Sequence, residues 1–196
     1  MPRTPRRRSE TSYHHVTLRG NGKQNLFETD KDRTAFMDAV RSSFICRDIS
    51  LIAWCLMNNH VHLVIDDPHD HMSMALHRVT SSYATYFNHV FGHTGHVFEG
   101  RYGSVPIRDD EQLLAAVRYV HDNPLKGMGI SPDRYPWCSY PEYASGASTY
   151  ADIDNLLDPL GGMSVKHVQR LTGIGEWATR KAAGRIKPRS SERDPR

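Results

Sequence analysis

The chain has 196 residues, 38% hydrophobic and 24% charged, with a formal net charge of +3. That length supports one domain with a real core plus a small appendage. No 20-residue apolar span occurs, and no apolar run follows the arginine-rich start, so the expectation is a protein with neither a signal peptide nor a membrane segment. Three scattered cysteines, Cys46, Cys55 and Cys138, fit reduced cytosolic thiols and not a disulfide frame or a zinc knuckle.

The charge is unevenly spread. Residues 1–8 carry four arginines and no acids, and residues 180–196 carry seven basic and two acidic residues. Against the overall +3, that leaves a body over residues 9–179 with a charge of −6. Cationic tails on a mildly acidic body suit phosphate backbones without sequence preference, with Arg6, Arg7, Arg8, Arg180 and Lys181 as candidate contacts. Such tails fit solvated, disordered ends equally well.

In chain order, residues 1–10 form a Pro/Arg-rich basic arm expected to be disordered. Tyr13 to Arg19 reads as a strand, closed by the turn signal Gly20-Asn21-Gly22. Thr29 to Asp32 offers an N-cap, and Phe36, Val40 and Phe44 recur at helical spacing. Leu51 to Met57 is apolar on both faces, which predicts a central strand. Asn58-Asn59 tolerates left-handed φ and predicts a tight hairpin into a third strand starting at His60. Met72, Leu76, Val79, Tyr83, Tyr86 and Val90 mark a second helix, with Arg78, Ser81, Ser82, Thr85 and His89 on its polar side, a surface suited to phosphates or to water. Gly92 to Gly95 ends it, and His96 to Ile107 reads as extended around Arg101, which like Arg78 is a candidate DNA contact. Asp109 or Asp110 caps a third helix through Leu113, Leu114, Val117 and Val120, which Pro124 is expected to stop. The order strand, helix, strand, strand, helix, strand is a ferredoxin-like split βαβ, an α+β fold with an antiparallel sheet. Two helices cover one face, leaving the third for the other.

The chemistry gathers in Leu56-Met57-Asn58-Asn59-His60-Val61-His62-Leu63-Val64. Side chains two apart on a strand share a face, so His60 and His62 project together. Paired neutral imidazoles hold one divalent metal, although the same pair also fits two ordinary half-buried histidines. Tyr119 and Asn123, four apart on the third helix, share a face one turn apart. If that face lies over the histidines, the site contains two imidazoles, an amide oxygen and a phenol. Such a set suits Mg²⁺ or Mn²⁺ poorly or well depending on geometry, and with waters and phosphate oxygens it makes an open site, with Tyr119 as a nucleophile towards a phosphodiester. Read from the residues alone, Tyr119 is more often a plain helix-face tyrosine than a nucleophile.

Several blocks in one order resemble the single-tyrosine HUH transposases of small insertion sequences, and among them the REP-associated tyrosine transposases of bacteria. They are His15 to Asn21, Leu56 to Val64, Tyr86-Phe87-Asn88, Gly95 to Tyr102, Tyr119 to Lys126 and Tyr135 to Tyr140. The resemblance covers roughly residues 13–146. It implies that His60, His62 and Asn123 hold the metal and that Tyr119 is catalytic. It also implies a hairpin-forming single-stranded DNA substrate, cleaved to a 5′-phosphotyrosine and a free 3′-OH. Two departures stand out. Asn58 sits where that family usually has Pro, and Leu125-Lys126-Gly127-Met128-Gly129 varies the usual continuation after Asn-Pro. The implied protein is a cytoplasmic, nucleoid-associated monomer or homodimer with no membrane partner. The alternative is a catalytically idle DNA-binding regulator of the same fold, which would bind without forming an adduct.

The transposase-like domain is expected over residues 11–146. A helical extension follows over 147–187, opening with the acidic connector Asp152, Asp154 and Asp158 and a hinge at Gly161-Gly162. It is read as a helix-turn-helix or an equally plausible helical hairpin, and a basic tail occupies 188–196.

Overall fold

The computed structural model describes residues 10–157. The basic arm at Arg6, Arg7 and Arg8 and the expected helix-turn-helix with Arg180 and Lys181 lie outside the described residues. Four strands, β1 (Tyr13–Arg19), β2 (Ser50–Leu56), β3 (His60–Asp66) and β4 (Gly103–Pro106), form one sheet in the order β2-β3-β1-β4. Every neighbouring pair is antiparallel. This is the expected α+β arrangement. Helices α1 (Asp30–Ile45) and α2 (Met72–Phe91) pack on each other, and α3 (Asp110–Met128) packs on β2 and β3. Short helices α4 (Tyr140–Ser145) and α5 (Ile153–Leu157) complete the chain order.

Local signals explain most boundaries. The Thr29 side chain accepts from the Asp32 N–H while the Asp32 carboxylate accepts from the Thr29 N–H, a capping box opening α1. Tyr86 of α2 donates to the same Asp32 carboxylate at 2.8 Å, tying the two helices together at that end. The buried stripe of α2 runs through Met72, Leu76, Val79, Tyr83 and Phe87, so it continues to Phe87 and leaves Val90 exposed. Glycine closes the β1 turn because a Cβ on Gly20 would run into the Gln24 carbonyl.

Four expectations need correcting. β2 is buried on both faces but is an edge strand, not a central one. Its outer edge is covered by the segment around Trp137 to Ser139. The Leu56 N–H donates to the Trp137 carbonyl and the Ser139 N–H to the Trp54 carbonyl, both at 2.9 Å. An edge strand satisfied in this way looks central to an eye that reads only hydrophobicity. Second, Asn58 and Asn59 are not among the residues with left-handed φ. The hairpin is pinned instead by its neighbours: the Leu26 N–H donates to the Asn58 carbonyl at 2.7 Å, and Arg33 Nη2 to Asn58 Oδ1 at 3.1 Å. Third, the stretch from His96 is a strand only over Gly103–Pro106, with a single bridge from Phe98 to Gly20 before it.

Fourth, Pro124 does not stop α3, which runs on to Met128 and ends at Gly129 with φ 69°. Proline removes the N–H that would reach the Val120 carbonyl. The Asn123 side-chain amide fills in, donating to the Tyr119 carbonyl at 2.8 Å and the Val120 carbonyl at 3.5 Å.

Residues 147–157, expected to begin the extension, fold back on the same core. Ala151, Ile153 and Leu156 are buried in it, and the Asp152 N–H donates to the Leu51 carbonyl at 2.7 Å. Among the described residues, no helix is long and apolar enough to cross a membrane.

Candidate active site

β1 and β3 present one polar face towards α3. Thr17 pairs with His62 and Arg19 with His60 across the ladder, and alternation puts His15 on the same face. Val16 and Leu18 point the other way and are fully buried. The sheet thus sorts β1 into an apolar set for the core and a polar set, His15, Thr17 and Arg19, beside the histidine pair.

The His60 and His62 rings meet edge to face with centroids 5.0 Å apart. Tyr119 reaches them from α3 of the same chain. Its ring centroid lies 5.5 Å from that of His62 and 5.6 Å from that of His15, both edge to face, and the residue remains 43% exposed. Lys126, two turns along α3, holds its Nζ 4.9 Å from the Tyr119 ring centre and 3.7 Å from the Asp122 carboxylate. Asn123 shares this part of the helix and is buried. Its amide nitrogen is committed to backbone carbonyls, so the oxygen is the atom it can offer a cation.

All three imidazoles are held neutral at pH 7. Burial, followed by the nearby His15, His60 and Arg19, pushes His62 down to about 3. Burial and then Arg19 lower His60, and burial lowers His15. A neutral imidazole keeps the lone pair that a metal needs. His60 Nδ1 lies 2.8 Å from Asn59 Oδ1 and His62 Nδ1 lies 3.1 Å from His15 Nε2, leaving Nε2 of each ring for a ligand. Among the described residues, no three His, Cys, Asp or Glu side chains form a metal cage. His60 and His62 thus offer two neutral imidazole nitrogens on one face, and a divalent ion held there would draw its remaining positions from oxygen donors and water.

The family model for IS200-like transposases matches residues 8–123. The chain belongs to the IS200-like transposase family. The matched span contains His60, His62, Tyr119 and Asn123, while α4 and α5 lie beyond it. Among solved structures, a REP-associated tyrosine transposase bound to a REP hairpin aligns with a TM-score of 0.62 and 18% identity, over 78% of this chain and 93% of that one. At that identity the likeness shows the fold. A candidate transposase from Deinococcus radiodurans R1 aligns over 62% of this chain and 97% of its own, with 14% identity and a TM-score of 0.42. No curated protein matches.

The remaining candidates on this chain fall elsewhere. Arg78 sits on the polar side of α2 and lines a groove with Arg47, His77, Ser81, Ser82 and Thr85. Arg101 lies in the loop before β4, against Thr17, Leu18 and Arg19, at the rim of the histidine face. His15, Thr17, Arg19 and Lys126 were not singled out as site residues from the sequence. The signal for the first three was available, as polar residues spaced by two between Val16 and Leu18. For Lys126 it was the seven-residue step from Tyr119, two turns on one helix face.

Proposed function

We propose that this transposase is a metal-dependent single-stranded DNA endonuclease and strand transferase, acting on hairpin-forming repeat DNA through a 5′-phosphotyrosine. The observation that carries the reading is the exposed Tyr119 ring resting on His62 within one chain. The solved relative bound to a REP hairpin supports a folded DNA strand as substrate.

In the proposed reaction the Tyr119 oxygen attacks the scissile phosphorus and gives up its proton to solvent. The bond from phosphorus to the 3′-oxygen breaks, and that oxygen takes a proton from solvent and leaves as a 3′-hydroxyl. One phosphodiester replaces another, so the bond energy is kept for rejoining, which runs the same step backwards with a different 3′ end. His60, His62 and Asn123 would hold a divalent ion, Mg²⁺ or Mn²⁺, that polarises the phosphodiester and offsets its charge. Arg19 and Lys126 flank the histidines and the phenol with the charge that a bound phosphate requires.

The test is incubation of the full chain with hairpin-bearing single-stranded DNA and Mn²⁺. A covalent protein–DNA adduct that disappears in Tyr119→Phe, with DNA binding retained, is the expected result. Cleavage that survives Tyr119→Phe would assign the attack to water, and binding without any adduct would leave a regulator.

A further inference from the structure

We infer that His15 is a positioning residue for His62, accepting the His62 Nδ1–H and so presenting His62 Nε2 to the bound cation. This role rests on the metal-dependent reading above and adds to it a residue outside the expected ligand set.

The geometry comes from the sheet. His15 stands one pleat along β1 from Thr17, the direct cross-strand partner of His62, so the two imidazoles are diagonal neighbours on one face. Their rings lie side by side, with centroids 5.3 Å apart and planes 23° from parallel. His15 Nε2 lies 3.1 Å from His62 Nδ1, within hydrogen-bond range. Thr17 Oγ1, at 3.5 Å from the same nitrogen, is too distant to serve equally well.

Two neutral imidazoles sharing one hydrogen bond leave a choice of donor. The neighbouring histidine resolves it by analogy of design. Asn59 Nδ2 donates to the Lys23 carbonyl at 3.3 Å, which leaves Asn59 Oδ1 to accept from His60 Nδ1 at 2.8 Å. His60 therefore carries its proton on Nδ1 and its lone pair on Nε2. If His62 donates to His15 in the same way, both ligands present the same nitrogen. An imidazole without a partner on Nδ1 populates both tautomers and both ring orientations, so part of the metal affinity goes into selecting one. Partners of this kind typically contribute 10- to 100-fold in metal affinity.

His15 also touches Tyr119 edge to face, so its removal opens space beneath the phenol. The test therefore uses two variants and a measurement on metal-free protein. In His15→Gln, the amide oxygen reaches about where Nε2 stood and still accepts the bond. Nitrogen-15 NMR of the metal-free full chain should show His62 protonated on Nδ1 and His15 unprotonated on Nε2. Calorimetric titration with Mn²⁺ should show His15→Ala binding ~10- to 100-fold more weakly than wild type. His15→Gln should recover most of that loss. A His62 proton on Nε2, a folded His15→Ala with wild-type affinity, or a His15→Gln no better than His15→Ala would each overturn the role. Wild-type protein that binds no Mn²⁺ would overturn the metal-dependent reading along with it, whereas normal wild-type binding indifferent to position 15 sinks only the role of His15.

Discussion

Tyr119 is held on its edge by two imidazoles and on its face by an ammonium, yet it stays open to solvent. That combination suits a nucleophile that must be aimed but reachable. Lys126 is the side chain best placed to meet a phosphate arriving there. Its pairing with Asp122 is an exposed helix pair, which contributes only a few tenths of a kcal/mol to stability. Lys126→Ala should therefore leave thermal unfolding unchanged while slowing adduct formation by about tenfold, the loss of one charge-assisted contact. Lys126→Arg should restore the rate; equal rates in wild type and Lys126→Ala would remove Lys126 from the chemistry. That His60 and His62 share one face, and Tyr119 and Asn123 another, was legible in the sequence because period-two and period-four spacing fixes which side chains lie together. The nearness of the two faces was not, since that depends on how α3 crosses the sheet.

At the scale of elements, α3, the helix that carries Tyr119, is held from behind. His121, two residues after Tyr119, is fully buried, with Nε2 2.8 Å from Ser139 Oγ. The Trp54 N–H of β2 donates to the same hydroxyl at 3.0 Å, and the Trp54 indole donates to the buried Glu142 carboxylate at 2.9 Å. Glu142 in turn accepts from the Thr149, Tyr150 and Ala151 N–H groups, strapping residues 149–151 to α4. Ser139→Ala leaves the Trp54 N–H and the His121 nitrogen buried without that partner, which should lower unfolding stability by about 2–3 kcal/mol. A urea midpoint that does not move would show that the hydroxyl is dispensable. Sequence reading misjudged this region at β2 and at Pro124 for one shared reason. In both places a rule about local backbone hydrogen bonds was satisfied by a partner outside the regular ladder: Trp137 and Ser139, far away in the sequence, for the β2 edge, and the side-chain amide of the adjacent Asn123 for the proline.

For the whole molecule, the ferredoxin-like order was legible because the main strands and helices carry their own periodicity and α1 and α3 their own side-chain caps. The wrapping of residues 135–157 around β2 was not, because those residues show short irregular runs whose partners are far away in the sequence. Burial across the molecule also sets its response to acid. Burial pushes His121 from the ordinary 6.5 down to about 3. Below pH 6.5 the unfolded chain takes up a proton that the folded chain refuses, so this stability is complete above pH 6.5 and drains away as pH falls towards 3. Between pH 6.5 and 5 the group alone should remove about 2 kcal/mol. Urea midpoints at pH 7 and 5 should fall further apart in wild type than in His121→Gln. An identical fall in both would assign the acid sensitivity to other groups, His62 first among them.

The most direct measurement is to trap the protein on a hairpin-bearing single strand with Mn²⁺, digest it, and locate the added nucleotide by mass spectrometry. The account predicts a phosphodiester-linked nucleotide on the peptide carrying Tyr119, and none in His62→Ala, which keeps the phenol but loses an imidazole beneath it. An adduct on any other residue, or one formed at the wild-type rate without His62, would contradict it.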